Sequence, residues 1–160
     1  MDYSYVDLGL PSGTLWAEHN VGAISSEDYG DYFAWGEMTT KSNYTEGNSV
    51  TYSLSISELE SRGIIGANGN LTAAYDAATA NWGDNWRMPT LDEMKELRNN
   101  CTWKWTTQNG VYGYKVTGSN GNSIFLPAAG YRYYTSLYDA GSYGYYWSAT
   151  LYSDRLTNGL

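Results

Sequence analysis

The hydrophobic positions of this chain come in short runs, and the pattern of the runs changes twice along its length. Residues 5–17 hold two short apolar stretches on either side of the turn residues Pro11-Ser12-Gly13. This arrangement predicts two strands around a turn. Residues 29–35 are another aromatic-rich segment, whereas the polar stretch 36–53 predicts a loop.

Three short helices are predicted in the middle of the chain. Ser55 and Glu58 have the spacing of a capping box, which predicts a brief helical turn. The alanine-rich residues 71–80 place their apolar side chains on one helical face and predict a second helix. The third, residues 91–99, follows Thr90 as the candidate N-cap.

The pattern returns to β after Cys101. Residues 111–117 alternate loosely, residues 118–122 supply a turn, and residues 123–126 form a short apolar strand. The aromatic residues 145–150 predict one more strand. Because helices in the middle are flanked by strands on both sides, the sequence predicts an α+β fold.

The composition favours one domain with many turns. At 160 residues, and with no internal repeat, we expect residues 1–160 to form a single domain. Its hydrophobic residues are unusual, because 7 Trp and 17 Tyr stand against 2 Phe. Tyr and Trp carry a polar atom and suit half-buried positions and interfaces. The 18 glycines predict short elements and a high loop content.

Charge and cysteine usage exclude several classes of partner and site. The net charge of −8 argues against nucleic acid and against anionic membranes as partners. The longest apolar run is too short to cross a membrane, and Met1 leads directly into polar residues, so we expect neither membrane insertion nor a signal peptide. One Cys and one His cannot form a Cys/His zinc centre within one chain.

Five segments, in order along nearly the whole chain, resemble the Fibrobacter succinogenes major paralogous domain family. They are residues 6–17 (VDLGLPSGTLWA), 29–37 (YGDYFAWGE), 85–90 (NWRMPT), 124–132 (IFLPAAGYR) and 146–150 (YWSAT). The resemblance implies a C-type-lectin-like fold with short helices and small antiparallel sheets, related to that of formylglycine-generating enzymes. It also implies a secreted or cell-surface protein of Bacteroidetes, or a component of a phage particle. Members of the family usually continue to a closing C-terminal strand, so either this strand is supplied unusually here or the domain is cut short.

Tyrosines are concentrated near the C-terminus. Eight of the seventeen lie within the last thirty residues, where an even spread would place about three. Tyr gives large amphipathic contact area at low entropic cost, and small polar residues give adaptable hydrogen bonds, as in antibody contact loops. We therefore predict a ligand-binding surface that comprises Tyr133, Tyr134, Tyr138, Asp139, Ser142, Tyr143, Tyr145, Tyr152, Asp154 and Arg155. The alternative is that strands rich in Tyr simply reflect its high β propensity.

Asparagine usage suggests how such a surface could arise. Asn is common up to Asn122 but then occurs only at Asn158. Changing one or both adenines of an AAC asparagine codon gives Tyr, Asp, Ser, Arg, Leu, Gly or Thr. The C-type-lectin-fold variable proteins of diversity-generating retroelements are diversified in this way, and the C-terminal segment resembles one outcome. The family segments would then exclude Tyr131, Arg132, Tyr146 and Trp147 from the contacts as framework residues.

Enzymatic and metal chemistry is not indicated. Formylglycine-generating relatives use two cysteines, whereas Cys101 is alone and fits a packed residue better than a nucleophile. His19 has no recognisable catalytic partner. The acidic residues Glu27, Asp28 and Asp31 lack a dense ligand spacing, so we expect a solvated loop and no cofactor, with a structural calcium ion left open.

Two other functions remain as alternatives. One is a carbohydrate-binding surface domain of fixed specificity, in which Trp147 would stack on a sugar. The other is a structural domain of a surface appendage. Trp147, like Trp16, Trp35 and Trp86, lies in a family segment and is expected in the core, while Arg87 is expected to make a buried structural bond. The ligand is therefore predicted to be a protein or a glycan.

Overall fold

The computed structural model describes residues 3–151, which divide into two compact units, each assembled from separate stretches of chain. The first unit comprises residues 3–31, 92–131 and 137–145, and the second comprises residues 32–91, 132–136 and 146–151. The elements are few helices and small antiparallel sheets, as expected of an α+β protein.

The first unit begins with the predicted pair of strands. β1 (Tyr5–Asp7) and β2 (Leu15–Ala17) are antiparallel, with Val6 opposite Trp16. Gly13 closes the connection by donating its N–H to the Leu10 carbonyl at 2.9 Å. Its φ of 77° lies in the left-handed region, which glycine enters without the strain that a Cβ would bring.

A three-stranded antiparallel sheet follows in the same unit. Its strands are β3 (Thr102–Gln108), β4 (Val111–Thr117) and β5 (Ser123–Pro127), in that spatial order. Asn109 and Gly110 join β3 to β4 with φ values of 48° and 80°. Two consecutive left-handed residues are typical of the two-residue hairpin turn whose twist matches that of the strands. The predicted strands 111–117 and 123–126 are thus confirmed.

The helix α3 (Leu91–Asn100) confirms the third predicted helix, and from Asp92 onward it lies in the first unit. Leu97 on this helix is 2% exposed. Its apolar side chain shares the core of the first unit with residues of the sheet and the N-terminal segment. The buried members of this core are Leu8, Leu10, Leu97, Val116 and Ile124.

The second unit holds α1 (Ile56–Ser61) and a separate core. The Ser55 hydroxyl accepts the Glu58 N–H at 3.2 Å, so the predicted cap is confirmed. Residues 36–53 form a loop as predicted, interrupted by a short 3-10 helix at Glu46–Asn48 and by an isolated β-bridge at Tyr44. The buried core residues are Leu59, Ile64, Ile65, Leu71 and Ala149.

The predicted helix over residues 71–80 is wrong in its first half. Leu71 pairs instead with Ile65 in an isolated β-bridge, and a 3-10 helix spans Ala73–Tyr75. Asp76 then caps α2 (Ala77–Trp82) by accepting two backbone N–H groups, which requires a non-helical backbone at Asp76 itself. The capping residue therefore divides the alanine-rich segment.

The predicted strand over residues 145–150 is also wrong. The structure instead has β6 (Tyr131–Tyr133) and β7 (Ser136–Tyr138), which form a two-stranded sheet earlier in the segment. Around Ala149 the backbone bonds to two separate segments: Ala149 donates to the Pro89 carbonyl at 2.7 Å and accepts from Leu71 at 2.8 Å. Because its partners do not belong to one neighbouring strand, no ladder forms.

Candidate functional site

Residues 131–145, which we call the tyrosine-rich segment, are exposed apart from the half-buried Gly141, and buried residues lie on either side of them. Residues 127–130 before it are buried, as are Ser148 and Ala149 after it, whereas every residue from 131 to 140 is exposed. All seven predicted ligand-binding residues in the described part of the chain are exposed as well. The other three, Tyr152, Asp154 and Arg155, lie outside the described residues.

Four tyrosines of the first unit pack against one another, and we call them the first tyrosine cluster: Tyr131, Tyr138, Tyr143 and Tyr145. The Tyr131 ring stacks on Tyr138 at 5.5 Å between centroids and meets Tyr145 edge-to-face at 5.1 Å. Tyr143 lies 6.2 Å from Tyr145. These are favourable aromatic geometries. The rings thus support each other while all four side chains remain exposed.

Asp139 organises the turn that carries this cluster. Its carbonyl accepts the N–H groups of Ser142 and Tyr143, both at 3.0 Å, and its carboxylate accepts the Tyr145 hydroxyl at 3.0 Å. The hydrogen bond to Asp139 is the main reason that the pKa of Tyr145 is raised, with desolvation second. The φ of Asp139 is 60°, a left-handed conformation that Asp and Asn tolerate better than most residues.

Gly130 sets the path of the segment beside this turn. Its N–H donates to the Tyr143 carbonyl at 2.8 Å, and its φ is 64°. A Cβ at this position would collide with the Tyr138 carbonyl oxygen and the Ala140 nitrogen. The backbone can therefore approach this closely only because residue 130 has no side chain.

Tyr133 and Tyr134 form a second tyrosine cluster in the second unit. Their rings meet edge-to-face at 4.5 Å. The Tyr134 backbone exchanges two hydrogen bonds with Tyr44, at 2.8 and 2.9 Å, and the Tyr44 hydroxyl in turn donates to the Tyr32 carbonyl at 2.6 Å. Within this cluster the pKa of Tyr133 is raised, first by its hydrogen bond with Tyr134. The two exposed rings therefore rest on an anchored backbone.

Two tryptophans, Trp35 and Trp147, hydrogen-bond to backbone carbonyls of the second unit. The Trp35 indole N–H donates to the Ser148 carbonyl at 2.8 Å, and the Trp147 indole N–H donates to the Phe33 carbonyl at 2.7 Å. Both side chains are half-buried. Both indole N–H groups therefore connect backbone segments within the second unit.

The lone cysteine and the histidine make structural contacts in the first unit. Cys101 is half-buried and packs against the core of that unit, and burial raises the pKa of its thiol. A raised pKa lowers the thiolate fraction that a nucleophile needs. The His19 ring nitrogen Nδ1 lies 3.0 Å from the Asn20 carbonyl. Both residues thus contact other parts of the first unit.

Arg87, in the second unit, was predicted to make a buried structural bond. It donates to the Met88 carbonyl at 3.3 Å, but its side chain is exposed, so the prediction of burial is wrong.

The acidic loop of the first unit is held by amide groups. Glu27 accepts hydrogen bonds from Gln108 at 3.0 Å and from Asn109 at 2.8 Å. These bonds, Asn109 first, lower the pKa of Glu27 to about 2. Asp28 accepts the backbone N–H groups of Ile24 and Gly30. Across residues 3–151, the His, Cys, Asp and Glu side chains form no group of three or more that could hold a metal ion.

The first unit also contains an open cavity of about 110 Å³. Its lining mixes charged, polar and apolar side chains from the N-terminal segment and the sheet: Val6, Glu18, Ser26, Gln108, Lys115 and Phe125, with Ser123 and Ile124. None of the seven predicted ligand-binding residues that the structure describes lines this cavity, so it is distinct from the exposed residues 131–145.

One residue outside the predicted contacts, Tyr131, lies among them in the structure. The sequence predicts a framework role for Tyr131, yet this residue is 40% exposed and its ring contacts those of Tyr138 and Tyr145. A signal was available, since Tyr131 and Tyr133 are two residues apart, as side chains on one face of a strand are.

Comparison with known proteins adds nothing to this geometry. No protein-family model, no curated protein and no solved structure matches the chain. Among the described residues, no helix is both long and apolar enough to cross a bilayer. A functional conclusion therefore depends on the exposed segment and its supports.

Proposed function

We propose that this chain is a non-enzymatic ligand-binding domain whose tyrosine-rich segment contacts a protein or another macromolecular ligand. The observation that carries the proposal is the uninterrupted exposure of residues 131–140, which directly follow the buried residues 127–130. A segment that packed as ordinary strands would bury every second side chain. Here the side chains remain available to a partner.

The arrangement of the rings supports a binding role. A tyrosine in an interface contributes most when its ring is already held in place, because less conformational entropy is lost on binding. Tyr131, Tyr138 and Tyr145 restrain one another through ring contacts of 5.1 to 5.5 Å. Asp139 fixes the Tyr145 hydroxyl as well. The first tyrosine cluster is therefore both exposed and preorganised.

We further propose that the segment is diversified through adenine-specific changes, on a C-type-lectin-like fold. Two of its residues, Tyr134 and Asp139, have φ values of 55° and 60°. Asn enters this region far more readily than Tyr, so an asparagine template would fit both backbones. This agreement between codon chemistry and conformation supports the proposal. The protein would then act outside the cell, on the cell surface or on a phage particle.

Gene sequences test the diversification directly. The prediction is a nearby reverse transcriptase gene and an imperfect repeat of the segment that differs only at adenines. Sibling copies should vary at Tyr133, Tyr134, Tyr138, Asp139, Ser142, Tyr143 and Tyr145 and keep residues 124–130 constant. Substitutions spread evenly over the chain, or at all four bases, contradict it.

A displayed library tests the binding capacity independently. The seven positions would be randomised with NNY codons in an otherwise unchanged chain, and a matched library would randomise seven exposed positions of residues 102–122. Selection against one purified protein, such as lysozyme, should enrich binders from the first library and far fewer from the second. Equal enrichment from the two libraries would show that the segment has no special capacity for binding.

A further inference from the structure

The three-stranded sheet of the first unit carries an exposed aromatic group outside the tyrosine-rich segment. Trp105 lies directly opposite Tyr114 in the β3–β4 register, and Tyr112 precedes Tyr114 by two residues. The three side chains therefore leave the same face of the sheet. Trp105, Tyr112 and Tyr114 expose 40%, 51% and 41% of their surfaces. We call these three residues the sheet aromatic group.

The rings of this group are held by contacts with one another and with the core. Trp105 is nearly parallel to Tyr112, at 13° and 6.0 Å, and meets Tyr114 edge-to-face at 5.1 Å. Tyr114 also meets Trp103 edge-to-face at 5.5 Å, and Trp103 packs against the core of the first unit. Rings restrained in this way lose little conformational entropy when a ligand covers them.

The polar atoms of the group are free to bind. Trp105 carries an indole N–H, and Tyr112 and Tyr114 carry hydroxyl groups that both donate and accept. Within the described part of the chain, none of these atoms is hydrogen-bonded to the protein. No charged residue of the three strands lies on this face, because Lys104 and Lys115, the charged residues of β3 and β4, are cross-strand neighbours on the opposite face and β5 has none. Apolar rings with unused polar atoms and no charge suit a neutral amphipathic ligand.

The size of the group favours a small ligand over a protein. Since an aromatic side chain offers about 150–250 Å², the exposed parts of the three together amount to on the order of 300 Å². A stable protein interface covers about 800 Å² on each partner. A pyranose ring has an apolar face of C–H groups and a rim of hydroxyls, so one or two sugar units match the area and the chemistry.

We propose that the sheet aromatic group binds a neutral carbohydrate chain, with sugar rings stacked on Trp105 and Tyr112. The specificity of this site would be fixed, because its residues lie outside the tyrosine-rich segment. The site would hold the domain on a polysaccharide surface, whatever ligand that segment contacts.

Affinity electrophoresis in gels that contain a neutral polysaccharide tests this inference. The panel is β-glucan, xylan and galactomannan, with polygalacturonate as the anionic control. At least one neutral polymer should retard the wild-type chain, and Trp105→Ala or Tyr112→Ala should weaken that binding by roughly tenfold or more. Lys104→Ala on the opposite face, and Tyr143→Ala in the first tyrosine cluster, should leave the retardation unchanged.

Three results overturn the proposal. They are no retardation in any neutral polymer, equal retardation of Trp105→Ala and wild type, or loss of retardation in Tyr143→Ala. If Trp105→Ala does not fold, Tyr112→Ala and Trp105→Phe test the proposal in its place. Trp105→Phe keeps an aromatic ring and should therefore keep part of the polysaccharide binding. The thermal midpoint and the near-ultraviolet circular dichroism of each variant report whether it is folded.

Discussion

Substitutions at Tyr134 test whether the backbone at this position favours asparagine over the tyrosine that is present. Its φ is 55°, and its backbone is fixed in that conformation by two hydrogen bonds to Tyr44. The side chain is 52% exposed. We predict that Tyr134→Asn gives a more stable protein than Tyr134→Ala, although both remove the same ring.

The expected difference follows from the backbone. A residue with a Cβ in the left-handed region costs roughly 1–2 kcal/mol, a cost that Asn offsets in part by local hydrogen bonding. Both variants lose the contact with Tyr133, which is worth about 0.5–1.5 kcal/mol. This loss is the same in both variants, so the free energy of unfolding of Tyr134→Asn should be about 1 kcal/mol higher than that of Tyr134→Ala. The backbone cannot relax away from the strain, because Tyr44 holds it.

Urea unfolding followed by tryptophan fluorescence measures the difference. Tyr138 in β7 is the matched control, since it is similarly exposed, at 43%, but has an extended backbone. At Tyr138 the Asn variant should be no more stable than the Ala variant, because both residues are disfavoured in strands. If Asn and Ala are equally stable at Tyr134, or if Asn is favoured equally at Tyr138, the conformational argument is wrong.

Three further predictions concern the supports of the fold. Asp76 is 3% exposed and accepts N–H groups from α2 and from Met88. Asp76→Ala should therefore lower the free energy of unfolding by about 2–4 kcal/mol, measured by urea unfolding, and an unchanged midpoint would refute this role. Gly130→Ala should lower the free energy of unfolding by about 1–3 kcal/mol and change the near-ultraviolet circular dichroism of the tyrosines. Gly141→Ala is the control, because a Cβ there has no atom within 4 Å, and it should leave this spectrum unchanged. The pKa of Glu27 is lowered to about 2, so its contribution to stability is complete above its ordinary pKa of 4.5 and is lost as the pH falls from 4.5 to 2. The free energy of unfolding should therefore decline less between pH 4.5 and 2 in Glu27→Gln than in wild type. An equal decline in the two proteins would contradict a lowered pKa of Glu27 in the folded state.

Local signals in the sequence predicted most of the elements of the fold. The cap at Ser55, the helix at residues 91–99 and the strands at residues 111–117 and 123–126 depend on neighbouring residues, and all are present. The signal for β3 is also local, since Asn109-Gly110 separates two runs with strand character.

Elements that depend on distant partners could not be predicted in this way. The backbone at Ala149 bonds to Pro89 and Leu71, which no pattern within residues 145–150 reveals. Asp76 is likewise tied to Met88 twelve positions later, so its role as a cap was hidden in an alanine-rich helical pattern. The prediction of one domain over residues 1–160 remains a prediction beside the two compact units.

The candidate site was predicted from composition, which identifies residue types but not their supports. Tyr133, Tyr138 and Tyr143 were selected for being tyrosines, and the structure places all three on the surface. The Tyr44 backbone that anchors Tyr134 lies about ninety residues away in sequence and carried no signal. The sheet aromatic group was also missed, because register alone brings Trp105 beside Tyr114.

The remaining question is whether β propensity alone accounts for the tyrosines near the C-terminus. That explanation requires strands in which alternate tyrosines face the core, because propensity reflects packing on a half-buried surface. Residues 131–140 instead contain two strands of three residues each, and no residue among them is buried. At Tyr134 the backbone is left-handed, where a bulky side chain is disfavoured. Burial in a core therefore does not account for Tyr at these positions, and ligand contact or diversification of the gene stays our proposal for them.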